Sequence, residues 1–264
     1  MTFAISTESA IEHLARDPLR HVVLLKQLLA YPGHVKAYRE AGASGTAILL
    51  ALEASASAYD RQTYPEAEVV AFISSDHPDL TAALLACLPG DVGIVFKLSR
   101  EADLRSVESK FPVSRRTAFV SFTSGSVVEP DADVRVTTTP GDAVFRMFET
   151  QGHAEAWVRS MLGSGQAFAC VLEQGGEVAS VCLVYENWGP VWEVGGVVTD
   201  PAHRRKGFGA RVVRTALAEI AKRGLKPRYQ VEEDNIASIA LARSVGLTPF
   251  LTITHYVTAA GRSA

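Results

Sequence analysis

Val197-Val-Thr-Asp-Pro-Ala-His-Arg-Arg-Lys-Gly-Phe-Gly-Ala-Arg211 decides the reading of this chain. A β-branched run passes through Asp200-Pro201 into a basic loop with two glycines. The loop opens a long amphipathic stretch, Gly207–Arg223. Along it Val212, Val213, Ala216, Leu217 and Ile220 share one face, and Gly224 stands past the end. A strand–loop–helix of this kind aims unpaired backbone N–H groups at one point, with the positive end of the helix dipole behind them. Gly207 and Gly209 remove side chains where a polyphosphate must approach the main chain. The spacing is neither that of a P-loop nor that of a dinucleotide fingerprint.

Charge points the same way. From Arg204 to Arg228 the basic residues are Arg204, Arg205, Lys206, Arg211, Arg214, Lys222, Arg223, Lys226 and Arg228, and Glu219 is the only acid. Arg204, Arg205 and Lys206 flank the glycines and are assigned to phosphate. Arg214, Lys222, Arg223 and Lys226 read as the solvated face of the helix. The whole chain carries 26 Lys and Arg against 29 Asp and Glu, a net charge of -3. That balance excludes a general nucleic-acid binder or a binder of anionic membranes.

Around this segment the second half has a clear rhythm. Pro140–Glu149 and His153–Leu162 read as short helices. Ala167–Glu173 and Val178–Tyr185 read as strands joined at Gly175-Gly176, a hairpin signal. Val191–Thr199 is a third strand, Arg228–Val231 a fourth and Thr248–Val257 a last one. Asp234 or Asn235 caps a helix that ends at Gly246. Cys170 and Cys182 fall in neighbouring strands, and a hairpin centred on Gly175-Gly176 pairs each with other positions. They read as buried thiols.

In the first half, Thr7–Tyr31 is helical with a restart at Asp17-Pro18. Thr46–Leu52, Val69–Ser74, Ile94–Leu98 and Thr117–Phe122 read as strands, and Asp79–Leu88 and Glu101–Lys110 as helices. The polar, aperiodic stretch Val128-Glu-Pro-Asp-Ala-Asp133 is the expected linker. Two domains follow, residues 1–129 and 134–264. Val69–Pro78 passes from strand to helix much as Val194–Pro201 does, without glycines after its proline. The halves therefore read as a tandem duplication whose first copy has lost its phosphate loop, against the alternative of two unrelated α+β domains. A differing strand order in the two halves would exclude the duplication.

The 264 residues are 47% apolar and 21% charged, globular usage, with enough chain to bury a core without staples. Three scattered cysteines make neither a disulfide framework nor a zinc site, and the histidines show no metal-ligand spacing, so no metal is expected. The opening residues lack a basic and then apolar leader, and no apolar run approaches the length of a membrane helix, so a cytoplasmic protein is expected.

Arg204-x-x-Gly207-x-Gly209 after a strand and Asp-Pro resembles the acyl-CoA pyrophosphate loop of the GNAT superfamily of N-acyltransferases. The second mark of that family is Asn235-Ile-Ala-Ser-Ile-Ala-Leu241 followed by Ser244-Val-Gly246-Leu247. The match covers roughly Val134–Val257. The layout, with a weakly matching first half, is similar to the glycine N-acyltransferase branch. The resemblance implies an α/β (α+β) fold: a mixed β-sheet acyltransferase domain preceded by a degenerate copy. It implies acetyl-CoA or another acyl-CoA as co-substrate and a small-molecule amine acceptor. No nucleic-acid or membrane partner is expected, and the protein is expected to be a monomer or homodimer.

Laid on positions, the resemblance implies that Val197, Val198 and Thr199 pair with the pantetheine arm, with the Val197 N–H at the thioester carbonyl. The loop N–H groups of Arg205, Lys206, Gly207, Phe208, Gly209 and Ala210 would hold the pyrophosphate. Asn235 would contact pantetheine, or serve as a plain helix N-cap.

An amine must lose a proton before attacking a thioester, and a carboxylate can take it. Glu193, between Trp192 and Val194, is the candidate base, against the alternative of a strand-end carboxylate facing solvent or paired with an arginine. Many family members place a tyrosine after Leu241 to protonate the leaving thiolate. Here that position is Ala242, and Tyr256 stands as the candidate donor, with His255 and Tyr229 as further options. Glu186-Asn187-Trp188 is an acceptor-loop candidate. The expected activity is N-acetyl transfer by direct attack; the alternative is an acyl-CoA-binding sensor without turnover.

Overall fold

The computed structural model describes residues 2–126 and 129–258. Val128, the first residue of the expected linker, lies outside them, as do Met1 and residues 259–264 at the ends of the expected domains. The chain divides into two compact units. One comprises the residues up to Phe119 with the chain from Leu251; the other is Val120–Phe250.

The chain order in the first half is β1 (Phe3–Ile5), α1 (Thr7–Leu14), α2 (Pro18–Ala30), β2 (Val35–Gly42), β3 (Gly45–Glu53), α3 (Ala58–Thr63), β4 (Val69–Ser75), α4 (Pro78–Leu84), β5 (Ile94–Leu98), α5 (Glu101–Glu108) and β6 (Val113–Thr123). The second half gives β7 (Val134–Thr137), α6 (Asp142–Glu149), α7 (Glu155–Gly163), β8 (Ala167–Gln174), β9 (Glu177–Trp188), β10 (Val191–Thr199), α8 (Phe208–Lys222), β11 (Lys226–Glu232), α9 (Ile236–Ser244) and β12 (Thr248–Thr258). The unit boundaries fall inside β6 and β12, upstream and downstream of where composition puts a linker. A polar, proline-containing stretch marks a loop, and here the loop simply leads from β6 to β7.

In the first unit the strand order is β1-β2-β3-β4-β5-β12, and in the second β7-β8-β9-β10-β11-β6. Within each, one strand pair is parallel, β4 with β5 and β10 with β11, while the strands before it pair antiparallel. The two orders correspond strand for strand, with the last strand of each contributed from the other end of the chain. The strand order therefore does not exclude a duplication. The strands β1, β2 and β7 and the helix α3 do not stand out in the sequence: β2 carries charge at Lys36, Arg39 and Glu40, and β1 and β7 are short edges.

The second unit is packed on both faces of its sheet. Phe168, Cys170, Leu172, Cys182, Val184, Trp192 and Val194 face α8 and its Val212, Val213, Ala216, Leu217 and Ile220. Ala167, Ala169, Val171, Val181 and Leu183 face Val144, Phe145, Phe148, Val158 and Leu162 of α6 and α7. This alternation lets β8 read as a continuous apolar run. A register shift between Leu172 and Glu173 moves the hairpin by one residue and sets Cys170 opposite Cys182. The simple hairpin expectation of other partners is thereby corrected. Both cysteines are buried and free, and burial pushes both thiols up.

The first unit has its own core, with Leu49, Ala71, Ile73, Leu84, Phe96 and Val107 among its buried members. A polar network lies beside it. Lys97 Nζ is 2.7 Å from Asp60 Oδ1 and lies over the Phe72 ring, and Tyr64 Oη is 2.7 Å from His255 Nδ1. Among the described residues no helix is long and apolar enough to cross a membrane.

Candidate active site

β10 and β11 pair for a short distance and then part. Their parallel register covers Val191, Trp192 and Glu193 against Lys226, Pro227 and Arg228. Beyond it both strands line one cavity of about 380 Å³, with Val194–Val197 and Thr199 on one side and Tyr229–Glu232 on the other. Gly209, Asn235, Ser238 and Leu241 close further walls, and Gln151 lies at the rim. In the first unit the corresponding strands β4 and β5 stay zipped from Val69–Ile94 through Ile73–Leu98. The parting of the strands thus distinguishes the two copies.

Glu193 holds the strands at the point where they part. Its Oε1 accepts from the Gln230 main-chain N–H at 2.9 Å, supplying an acceptor where the ladder stops. Its Oε2 accepts from Arg228 Nη1 at 2.6 Å and Asn187 Nδ2 at 2.8 Å. Glu193 is 5% exposed and Arg228 3%. The expectation of a carboxylate poised to take a proton is corrected here. Both oxygens are already engaged, and Glu193 is not among the residues lining the cavity. Its arginine partner is the alternative that the sequence left open. Asn187, an acceptor-loop candidate by sequence, is instead buried as a donor to Glu193.

The cavity side of β10 is shaped by a bulge. Gly195 pairs with Leu183 and Val198 with Val181, so Gly196 and Val197 share one place opposite Cys182. The bulge takes Val197 out of the regular ladder. Gly196 has φ +56°, and a Cβ there would stand 3.2 Å from His153 Cδ2, 3.3 Å from His153 Nε2 and 3.2 Å from Leu183 Cβ. Only glycine combines that conformation with that approach.

At the end of β10 the chain turns into the basic loop. Asp200 Oδ1 accepts from the Ala202 N–H at 2.9 Å and starts a short 3₁₀ turn, Pro201–His203. Arg205 at φ +61° and Gly207 at φ +77° are left-handed, and α8 starts directly after. The loop therefore delivers its main chain directly into the N-terminus of α8, where unpaired N–H groups favour an anion. The helix dipole of α8 adds to it. Arg204, Arg205, Lys206 and Gly207 are exposed, while Phe208, Gly209 and Ala210 are half-buried.

Other cations of the segment are engaged. Arg211 pairs with Asp131 at 2.6 Å and Asp133 at 2.5 Å, and this pairing holds the Asp131 carboxyl below the usual range. Arg223 pairs with Glu219 and lies over the Phe168 ring.

Asn235 takes the N-cap position of α9 and also faces the cavity. Its Oδ1 caps α9 through the Ser238 N–H at 3.0 Å, and it lines the cavity. Ala242 is fully buried in the core. Among the phenols weighed as its replacement, Tyr229 lines the cavity, 2.5 Å from Ser238 Oγ, and burial pushes it up to about 12. Tyr256 belongs to the first unit, paired opposite Phe96 and packed on that unit's core. The structure therefore does not gather Tyr256 with the residues of this cavity. His255 also lies in the first unit.

Three aromatic residues that the sequence did not single out pack beside the bulge. His153 precedes α7, Trp157 lies on it, and Tyr185 lies on β9. The His153 and Trp157 rings stack at 5.6 Å, and Tyr185 meets both edge-on, at 6.2 and 5.2 Å. Tyr185 stands over Gly195, whose Cβ would lie 3.4 Å from its ring. The spacing of His153 and Trp157, one helical turn apart, is the only local signal, and it says nothing of β9 or β10.

Residues 141–247 match the model of the acetyltransferase (GNAT) family. This stretch is similar to that family. A GCN5-related N-acetyltransferase from Sphaerobacter thermophilus is similar in structure at TM-score 0.61 and 12% identity, over 100% of this chain and 96% of that one. A Drosophila protein matches at TM-score 0.60 and 12% identity, over 99% of each chain. A tandem GNAT protein from the clavulanic acid biosynthesis pathway matches at 0.55 and 12%, over 100% of this chain and 99% of that one. At these identities the likeness is one of fold, and it runs through both copies. No curated protein matches the chain.

Proposed function

We propose that the second unit binds acyl-CoA in the cleft between β10 and β11 and transfers its acyl group, acetyl in the first instance, to a primary amine of a small molecule. The observation that carries this is the cavity itself. It runs between two parted strands, past a bulge that frees main chain at Val197, and the loop at Arg205–Gly207 follows at the end of β10. In this reading pantetheine lies along Val197, Val198 and Thr199 as an added strand. The pyrophosphate rests on the N–H groups of Arg205–Ala210, with Arg204 and Lys206 at its edge. The family supplies acyl-CoA as co-substrate, and the residues present fit it.

The chemistry needs no covalent enzyme intermediate. The Val197 N–H faces the thioester carbonyl and stabilises the negative charge that develops on its oxygen. Tyr229 keeps its proton at neutral pH and stands in the cavity wall as a donor to the leaving sulfur. Glu193 acts as a positioning residue: it fixes where the strands part. Release of CoA thiol from acetyl-CoA, measured across amines, amino acids and alcohols, tests the reading. Turnover with amines supports it. Tight acetyl-CoA binding with no release across the panel supports the sensor instead, a reading favoured by the buried Ala242, which offers no donor.

A further inference from the structure

We infer that Ser180, a buried hydroxyl on β9, is a positioning residue for the pantetheine arm: it fixes the Thr199 hydroxyl as a hydrogen-bond acceptor in the cleft. The inference rests on the acyl-CoA reading of the β10–β11 cleft.

Two side chains of β9 bracket the bulge of β10. Ser180 and Cys182 stand at alternate positions, so they share one face of the strand, and both are fully buried. Cys182 is the residue opposite Gly196 and Val197 together. Burial keeps its thiol protonated, and Sγ donates weakly to the Gly195 carbonyl oxygen at 3.7 Å, before the bulge. Ser180 pairs opposite Thr199, and its Oγ donates to the Val198 carbonyl oxygen at 3.1 Å, after the bulge. A bulge interrupts the ladder and leaves carbonyls in need of partners. These two side chains supply partners on either side, so the main chain at Gly196 and Val197 is held out of the ladder from both ends.

The polarity of the next contact follows from counting protons. A serine hydroxyl has one proton, and a carbonyl can only accept, so the Ser180 proton goes to Val198. Thr199 Oγ1 lies 2.9 Å from Ser180 Oγ, and in that contact Thr199 must therefore be the donor. With its proton turned to Ser180, the Thr199 hydroxyl keeps only acceptor capacity for any other group. Thr199 lines the cleft, and its Oγ1 would stand 3.5 Å from a Cβ at Gly209, which lines the cleft as well. The Thr199 carbonyl accepts from Arg204 Nε at 3.3 Å, which joins this strand end to the basic loop. Just beyond, the Asp200 N–H donates to the Ala179 carbonyl at 2.9 Å and closes the register.

A ligand group met by the Thr199 hydroxyl has to be a donor. The pantetheine arm carries amide N–H groups, whereas the phosphates of CoA present acceptors at neutral pH. The pair Ser180–Thr199 therefore favours the arm at this point and keeps the pyrophosphate to the loop. Alanine at 180 releases the Thr199 proton, which can then turn into the cleft and meet a ligand donor with a donor. A serine that only supported packing would loosen the whole unit and weaken every ligand alike.

The test uses the full chain with acetyl-CoA and with ADP, which has the pyrophosphate and no pantetheine. Calorimetric titration gives the dissociation constants, for ADP by displacement of acetyl-CoA. Ser180→Ala is expected to weaken acetyl-CoA binding about 2–12-fold, the range of one hydrogen bond, and to leave ADP within about twofold. Ser180→Cys, close in size and a weaker donor, gives the same split should the alanine variant not fold. Thr199→Val keeps the shape and removes the hydroxyl, so it should show this split too, and Thr199→Ser should restore wild-type binding. Ser180→Ala combined with Thr199→Val should lose no more than Thr199→Val alone, because both act through one hydroxyl. Unchanged acetyl-CoA binding in the Ser180 variants, equal weakening of acetyl-CoA and ADP, or additive losses in the double variant overturn the inference while leaving the cleft intact. Failure of folded wild type to bind acetyl-CoA, or of ADP to displace it, overturns the reading beneath it instead.

Discussion

Replacing Glu193 by glutamine separates a carboxylate that positions strands from one that takes protons. The carboxylate receives three donors, Gln230 N, Arg228 Nη1 and Asn187 Nδ2, at 2.9, 2.6 and 2.8 Å. A glutamine keeps the shape but has one acceptor atom. Either its amide nitrogen faces Arg228 and Asn187, or it faces the Gln230 N–H. Donor meets donor in both cases, and the buried Arg228 keeps its charge without a counter-charge. Removing one partner of a buried ion pair costs about 3–5 kcal/mol. At roughly 2–4 °C per kcal/mol for a protein of this size, the melting transition should fall by about 6–20 °C. Circular dichroism melts at matched pH measure this. A double replacement, Glu193→Leu with Arg228→Met, should lose less than the sum of the single changes, because it removes both charges together. An unchanged melting temperature with turnover down a hundredfold in Glu193→Gln would refute the reasoning and restore the carboxylate as a base.

Gly196→Ala should impair acetyl-CoA binding and turnover at a cost of about 1–3 kcal/mol in stability, since alanine at φ +56° is strained and meets His153 and Leu183 at 3.2 Å; calorimetric titration and melts check it, and wild-type behaviour in both would contradict it. Acid should weaken the first unit through His255, which burial and the neighbouring Lys97 push down to about 3. The unfolded chain binds that proton below about 6.5 and the folded one does not until about 3. Stability from this group is therefore full above about pH 6.5 and falls by up to about 1.4 kcal/mol per pH unit toward 3. Urea titrations from pH 7 to 5 should show a smaller slope in His255→Gln, which can still accept from Tyr64.

The loop Asp200–Gly209 was legible because it is built from main chain: glycines, a preceding strand and a following amphipathic face are all visible locally. The corresponding strand orders of the two units have a local echo in the strand-to-helix passages at Val69–Pro78 and Val194–Pro201. The roles of Glu193, Asn187 and Arg228 were not, because they depend on which strands pair and where pairing stops. Glu193 and Arg228 sit opposite each other in parallel strands joined through α8, a non-local contact. Tyr256 stood as a candidate donor for the missing tyrosine at Ala242, but the chain from Leu251 returns to the first unit. The exchange of β6 and β12 between units has no signature in composition or periodicity.

The central claim is that the cleft and basic loop of the second unit hold acyl-CoA. Calorimetric titration of acetyl-CoA into wild type and into Gly207→Glu tests it most directly. Gly207 is left-handed at φ +77° and exposed, with no atom within 4 Å of a Cβ, so glutamate there leaves packing alone while straining the loop and setting a negative charge in it. The account predicts binding to wild type and its loss in the folded variant. No binding to folded wild type, or equal binding to both, would contradict it.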